Sequence, residues 1–191
     1  MKPTVFLDRD GTIIEERNYL GRLEQIELFP WSVEAIRLLK HAGYAVVIVT
    51  NQAGIARGFF DEAFVQSAHA HLDGMLREQG AVVDGYYYCP HHPDGTVERY
   101  RLRCGCRKPE PGMVRQAAAD LGLDLCRSFV VGDKWLDIGL AQNAGARGVL
   151  VRTGYAGGAE PAPPSGCEPD VIVDTLLDAA RWILAAPAAG R

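Results

Sequence analysis

Short apolar runs that stop abruptly at polar residues, with helical stretches between them, constrain this chain more than any other feature. The first run, Thr4-Val5-Phe6-Leu7, passes directly into Asp8-Arg9-Asp10-Gly11-Thr12. An uninterrupted apolar run reads as a strand buried on both faces, and Asp8 marks its C-terminal end. Similar runs are Tyr44 to Val49, Tyr86-Tyr87-Tyr88, Phe129-Val130-Val131 and Val149-Leu150-Val151. Between the first two, Ser32 to Ala42 carries Val33, Ile36 and Leu39 at helical spacing and stops at Gly43. Asp61 can cap a helix whose inner face would include Phe64, Ala68, Leu72 and Met75. Met113 to Leu121 and Leu136 to Ala144 are predicted helices closed by Gly122 and Gly145. Residues 154–170, rich in Pro and Gly, predict a surface loop. A short edge strand, Val171 to Val173, and a last helix, Leu176 to Ala185, follow. Such alternation predicts an α/β fold: a Rossmann-like parallel sheet with helices on both faces. The 191 residues suit one domain spanning 1–191. About twenty residues separate Thr12 from the first helix, too few for a large cap domain.

In open parallel sheets, ligands bind at the C-terminal edge of the strands. Asp8 and Asp10 are therefore delivered to the place where chemistry normally sits. Two carboxylates there could hold a divalent cation, or one could attack phosphorus while the other moves a proton. Taken alone, they also suit an Asp-Gly turn. Thr50-Asn51-Gln52 closes the second run and offers a hydroxyl and backbone N–H groups to phosphoryl oxygens. Gly132-Asp133-Lys134 closes the fourth. Asp133 could complete a cation site with Asp8 and Asp10, oriented by Asp137, or could cap a helix. Lys108 could neutralise charge on an attacking carboxylate and a phosphoryl group, or be a solvated loop residue.

Cys89-Pro90-His91 and Cys104-Gly105-Cys106 bracket one polar loop, about 89–108. Three thiolates and one imidazole match a closed, tetrahedral, structural Zn2+ site, with His92 as a rival to His91. Its role would be to fix the loop that delivers Arg107 and Lys108. Cys126 and Cys167 read as ordinary thiols outside it. The net charge of -4 gives no pointer to nucleic acid or to an anionic membrane surface. No apolar run approaches the ~20 residues of a membrane span. Met1-Lys2-Pro3-Thr4 enters the first strand at once, which leaves no room for a signal peptide. The expected compartment is the cytoplasm, where reduced thiols favour metal ligation over disulfides. The expected partner is a small molecule, bound by a monomer.

Asp8-x-Asp10-Gly11-Thr12, then Thr50, then Lys108, then Gly132-Asp133 with Asp137 resembles, in that order, the haloacid dehalogenase (HAD) superfamily, over about residues 4–152. The resemblance implies a phosphatase that uses Mg2+ and an aspartyl-phosphate intermediate. It makes Asp8 the nucleophile and Asp10 first the general acid, then the base. It places Mg2+ on the Asp8 and Asp133 side chains and the Asp10 backbone carbonyl, and the phosphoryl group on Thr50 and Lys108. An aspartate at the position of Asp10 is the family's mark of phosphatases over dehalogenases.

Four segments narrow this resemblance: Cys89 to Gly95, Cys104 to Met113, Asn51 to Gly58, and Gly132-Asp133-Lys134. They are similar to the branch of D-glycero-D-manno-heptose 1,7-bisphosphate 7-phosphatases, which serve lipopolysaccharide or nucleotide-heptose precursor synthesis. The histidinol-phosphate phosphatase branch shares the zinc loop and is the nearest rival. The heptose branch implies substrate contacts at Glu16, Arg17, Asn18, Tyr19, Asn51, Arg107 and Lys134. Arg107 and Lys134 could pair with the remote phosphate of a bisphosphorylated sugar, or be ordinary charged loop residues. The chain departs from the branch at Trp135 and in the Pro/Gly-rich loop near 160. A non-catalytic, zinc-stapled module for a phosphorylated ligand is the reading from another class. Carboxylates at an anion site argue against it. A nucleic-acid 3'-phosphatase is weakened by the acidic balance.

Overall fold

Side chains along the first strand alternate between two apolar layers, and that alternation dictates the architecture. The computed structural model describes residues 1–155 and 164–186. Six strands form one parallel sheet: β1 (Lys2–Leu7), β2 (Ala45–Asn51), β3 (Gly85–Cys89), β4 (Leu123–Gly132), β5 (Arg147–Val151) and β6 (Val171–Val173), in the spatial order β3-β2-β1-β4-β5-β6. The helices are α1 (Ser32–His41), α2 (Ala53–Ala56), α3 (Glu62–Glu78), α4 (Gly112–Leu121), α5 (Trp135–Ala144) and α6 (Leu176–Ala185). On one face, Val5 and Leu7 of β1 join Ile36 and Leu39 of α1, Leu72 and Leu76 of α3, and Leu176 and Ile183 of α6. On the other face, Phe6 joins Met113 and Val114 of α4 and Leu140 and Ala141 of α5. The expected α/β sheet with helices on both faces is the observed one. Among the described residues, no helix is long and apolar enough to cross a membrane.

The strand order positions the site. The chain steps outward from β1 to β2 to β3, then returns to lay β4 against the other side of β1. Connections diverge at this switch point and leave a crevice at the C-terminal ends of β1 and β4. Between Thr12 and α1 there is loop with one short 3-10 turn, Leu23–Gln25, in place of a lid domain.

Three details differ from the sequence expectation. The inner face of α3 carries Val65, His69 and Leu76 besides the expected Ala68 and Leu72, and Phe64 and Met75 pack half-buried against the same core. The Asp61 side chain accepts from Phe64 N–H at 2.8 Å and so sets where the helix begins, with Phe64 and Met75 flanking the apolar stripe. The inward His69 stacks on Tyr86 with centroids 5.1 Å apart, and burial drops its pKa to about 3, so it packs as a neutral ring. Strand β4 starts at Leu123, well before Phe129, because it pairs with β1 at Lys2 and Pro3, slips register, and pairs again from Val5. Buried Ser128 covers the slip: its hydroxyl accepts from Thr4 N–H at 3.0 Å and donates to Asp124 C=O at 2.5 Å. One helical turn, α2, follows β2 without a sequence signal of its own. Of the expected surface loop 154–170, residues 156–163 lie outside the described residues.

Candidate active site and metal centres

Because β1 and β4 are neighbours, the residues that follow them meet. Asp8 N–H continues the ladder by donating to Val131 C=O at 2.9 Å. Asp8, Lys108, Asp133 and Asp137 are all buried. Carboxylate oxygens of Asp8, Asp133 and Asp137 lie within 4.8 Å of one another. Lys108 Nζ stands 2.8 Å from Asp8 Oδ1 and 2.6 Å from Asp137 Oδ1, and donates to Val49 C=O at 3.1 Å. Asn51 holds the backbone of Lys108 from both sides: Asn51 Oδ1 accepts from Lys108 N–H at 3.0 Å, and Asn51 Nδ2 donates to Lys108 C=O at 3.3 Å.

Burial works against the Asp8 carboxylate, yet the Lys108 and Lys134 ammonium groups outweigh it and hold Asp8 below its ordinary pKa. Burial likewise opposes the Lys108 charge, and Asp137 and Asp8 outweigh it. Asp137 is pushed up to about 6 by burial, with Lys108 opposing. Asp133 is pushed up to about 8, by burial first and then by the charge on Asp8.

Asp133 is where a divalent cation fits. Its Oδ2 accepts from Tyr155 N–H at 2.8 Å, whereas its buried Oδ1 has no hydrogen-bond partner. A buried carboxylate oxygen with no donor, beside a second carboxylate, suits a hard cation bound through oxygen. The wall is tight. A Cβ on Gly11 would lie 2.4 Å from Asp133 Oδ2, and one on Gly154 would lie 2.0 Å from it. Gly11 also sits at φ +81. Asp8 and Asp133 thus fit the ligand set read from the sequence. The side chain of Asp10 is outside that cluster: its oxygens accept from Arg9 Nε and Nη2 and from Gln52 Nε2, each at 3.1 Å. Gln52 Nε2 also reaches Thr50 Oγ1 at 2.9 Å.

A cleft of about 330 Å3 opens over these groups, lined by Glu16, Asn18, Tyr19, Asn51, Arg107 and Lys134 as well as Asp8, Asp10, Thr50 and Lys108. Arg17 alone of the expected contacts does not line it. Its exposed guanidinium pairs with Glu15 at 2.8 Å and with Glu27. Lys134 Nζ pairs with Glu16 at 3.1 Å and lies 4.3 Å from the centroid of Tyr155. The Tyr155 hydroxyl donates to Asn18 Oδ1 at 2.9 Å. Arg107 donates to His91 C=O at 3.2 Å. Arg9 and Tyr155 line the cleft too, and sequence reasoning assigned neither. Arg9 carried a signal, a cation enclosed between two aspartates. Tyr155 lies in a loop beyond β5 and carried none.

The second cluster holds Cys89, His91, Cys104 and Cys106, with ligand atoms within 4.8 Å of one another. The Sγ atoms are 3.1, 3.3 and 3.5 Å apart, and His91 Nδ1 is 3.5 and 3.7 Å from two of them. Zinc bound tetrahedrally at 2.3 Å to sulfur sets ligand separations of about 3.8 Å, and three sulfurs with one imidazole are a zinc donor set. His92 is outside the cluster; its Nδ1 accepts from Asp94 N–H at 3.1 Å.

Two family models match the chain: HAD-hydrolase-like over residues 105–179 and polynucleotide kinase 3 phosphatase over residues 4–138. The chain is 43% identical over 183 residues to the D-glycero-beta-D-manno-heptose-1,7-bisphosphate 7-phosphatase of Photorhabdus laumondii, covering 95% of each. It is 46% identical over 154 residues to the protein of the same name from Escherichia coli K12, covering 80% of each. The crystal structure of the D,D-heptose 1,7-bisphosphate phosphatase of B. bronchiseptica, complexed with magnesium and phosphate, superimposes with a TM-score of 0.81 at 34% identity. That match covers 97% of this chain and 99% of the other.

Two outcomes follow from the metal clusters. The unfolded state releases the Asp133 proton near the ordinary value of 3.8, whereas the folded state keeps it to about 8. Between those values the cation-free protein should lose stability as pH rises, and Mg2+, which displaces the proton, should offset the loss. The rise in Tm on adding Mg2+ should therefore grow by roughly 3–6 °C from pH 6 to pH 8. A rise independent of pH contradicts this picture. Cys104→Ser should abolish stoichiometric zinc in protein purified without chelators and lower Tm by about 5–10 °C. A wild-type protein that carries no zinc on metal analysis contradicts the second cluster's role.

Proposed function

We infer the reaction from one premise: the chain belongs to the D-glycero-beta-D-manno-heptose-1,7-bisphosphate 7-phosphatases, a branch of the HAD-like hydrolases. It is a phosphoric monoester hydrolase that removes the C7 phosphate of a heptose 1,7-bisphosphate and leaves the C1 phosphate in place. Its relatives' names specify the beta anomer, which we take as its substrate. The observation that carries the chemistry is a buried Asp8 held ionised 2.8 Å from Lys108, at the sheet edge of a chain matching such a relative over 95% of its length.

An Asp8 oxygen attacks phosphorus, and the bond from phosphorus to the C7 oxygen breaks. Asp10 gives its proton to that oxygen, so the sugar leaves as an alcohol. Asp10 then takes a proton from water, the water oxygen attacks phosphorus, and the bond to Asp8 breaks. Thr50 and Lys108 hold the phosphoryl oxygens throughout. Asp8, Asp133 and the Asp10 carbonyl would hold Mg2+, which would neutralise phosphoryl charge. Asp137 orients Lys108. Zn2+ on Cys89, His91, Cys104 and Cys106 has a structural role, steadying the segment that presents Arg107 and Lys108.

Arg107 and Lys134 supply cations for the remote C1 phosphate, with Glu16, Asn18, Tyr19 and Asn51 around the sugar. Arg17 has no place among these contacts. Residues 1–191 act as one unit, a monomer. A phosphorylated sugar does not cross membranes unaided, which supports a cytoplasmic site of action. The polynucleotide kinase 3 phosphatase model over residues 4–138 favours a second reading, hydrolysis of a nucleic-acid 3'-phosphate.

Turnover of the beta and alpha heptose bisphosphates, histidinol phosphate and a 3'-phosphorylated oligonucleotide, compared side by side, ranks these readings. The beta heptose bisphosphate should have the highest kcat/KM. Arg107→Ala should lower that value by about 10- to 100-fold, while a small monophosphate ester loses less than about threefold. A best rate on histidinol phosphate or on the oligonucleotide overturns the heptose reading.

A further inference from the structure

Arg9 stands between the two aspartates of the first motif, and no step above uses it. Its side chain is 3% exposed. Its backbone is fixed as well: Arg9 C=O accepts from Ile13 N–H at 3.0 Å and from Ile14 N–H at 3.1 Å. The guanidinium faces Asp10 as a fork, with Nη2 3.1 Å from Oδ1 and Nε 3.1 Å from Oδ2. Gln52 Nε2 adds a third donor on Oδ2 at 3.1 Å and shares itself with Thr50 Oγ1 at 2.9 Å. Asp10 is the one carboxylate that pairs with Arg9 among the described residues.

A buried guanidinium cannot shed its proton and is costly to leave unpaired. Arg9 therefore keeps hold of Asp10, and its planar fork fixes where the carboxylate lies. A general acid must stand within hydrogen-bond reach of the oxygen it protonates, and small misplacements cost large factors in rate. We propose that Arg9 is a positioning residue: its guanidinium, with Gln52, aims the Asp10 carboxyl at the leaving oxygen and registers it against the Thr50 side of the phosphoryl cradle. This rests on the phosphatase reading above and deepens it.

The leaving group distinguishes this role from a structural one. An aryl ester departs as a stable phenolate and needs no proton, whereas an alkyl ester needs the proton from Asp10. The probes are p-nitrophenyl phosphate and a hexose 6-phosphate, each with wild type, Arg9→Met and Arg9→Lys. In Arg9→Met, kcat/KM on the alkyl ester should fall about 100-fold, while the aryl ester changes less than about threefold. Arg9→Lys keeps the buried charge but loses the fork, so the alkyl ester should fall roughly tenfold, again with the aryl ester little changed. Equal losses on both esters, or no loss on either, overturn the proposal. If Arg9→Met does not fold, Arg9→Lys carries the same comparison, and an unchanged ratio of alkyl to aryl rates overturns it. A wild type that hydrolyses neither these esters nor the heptose bisphosphate refutes the phosphatase reading instead, which keeps the two failures apart.

Discussion

The ammonium of Lys108 lies between two buried carboxylates, 2.8 Å from Asp8 and 2.6 Å from Asp137. Three acids whose oxygens come within 4.8 Å of one another cannot all ionise in a dry site without cations. Lys108 supplies one positive charge, and it favours the ionised form of Asp8, the group proposed to attack. Asp133 is left with the opposite problem: an unpartnered buried oxygen and a raised pKa. Lys108 and Lys134 are cations built into the chain, and the unpartnered oxygen of Asp133 fits a further, divalent one.

That arrangement depends on parts of the chain far apart in sequence. Asp8 and Asp133 meet because β1 and β4 are neighbours at the point where the strand order reverses. Lys108 arrives from a loop outside the sheet, with its backbone held by Asn51 at the end of β2 and its N-terminal neighbours held by the Cys and His cluster. Gly11 and Gly154 close the wall around Asp133, where any side chain would collide with its carboxylate. The loop after β5 completes the enclosure: Thr153 Oγ1 donates to Gly11 C=O at 2.5 Å, and Tyr155 N–H fixes Asp133. Among the residues lining the cleft, Tyr155 is tied to Lys134 and to Asn18 by side-chain contacts.

The strand ends were legible in the sequence because a buried parallel strand is a continuous apolar run, and the residue that breaks it is conspicuous. Asp8, Thr50 and Asp133 were found in this way. Cys89, His91, Cys104 and Cys106 were legible because reduced thiols and an imidazole rarely bracket one polar loop without a reason. The choice of His91 over His92 was not legible, since it depends on how the chain beyond β3 places two adjacent rings, His91 against the thiols and His92 against Asp94 N–H. Arg17 looked like a substrate contact, but Glu27, ten positions along, comes round to pair with it. The early start of β4 was hidden by polar residues such as Asp124 and Arg127, which a register slip accommodates. Tyr155 acquires its role only once a long-range fold places its backbone N–H against Asp133.

Nucleophilic attack by Asp8 is the claim on which the rest of the chemistry stands. Rapid mixing of wild type with heptose bisphosphate and Mg2+, acid quenching within the first turnover, and peptide mass analysis test it directly. The peptide that carries Asp8 should gain the mass of one phosphoryl group, localised to that residue, and Asp8→Asn should show neither the adduct nor turnover. A phosphoryl group on another residue, or turnover retained by folded Asp8→Asn, would contradict the account.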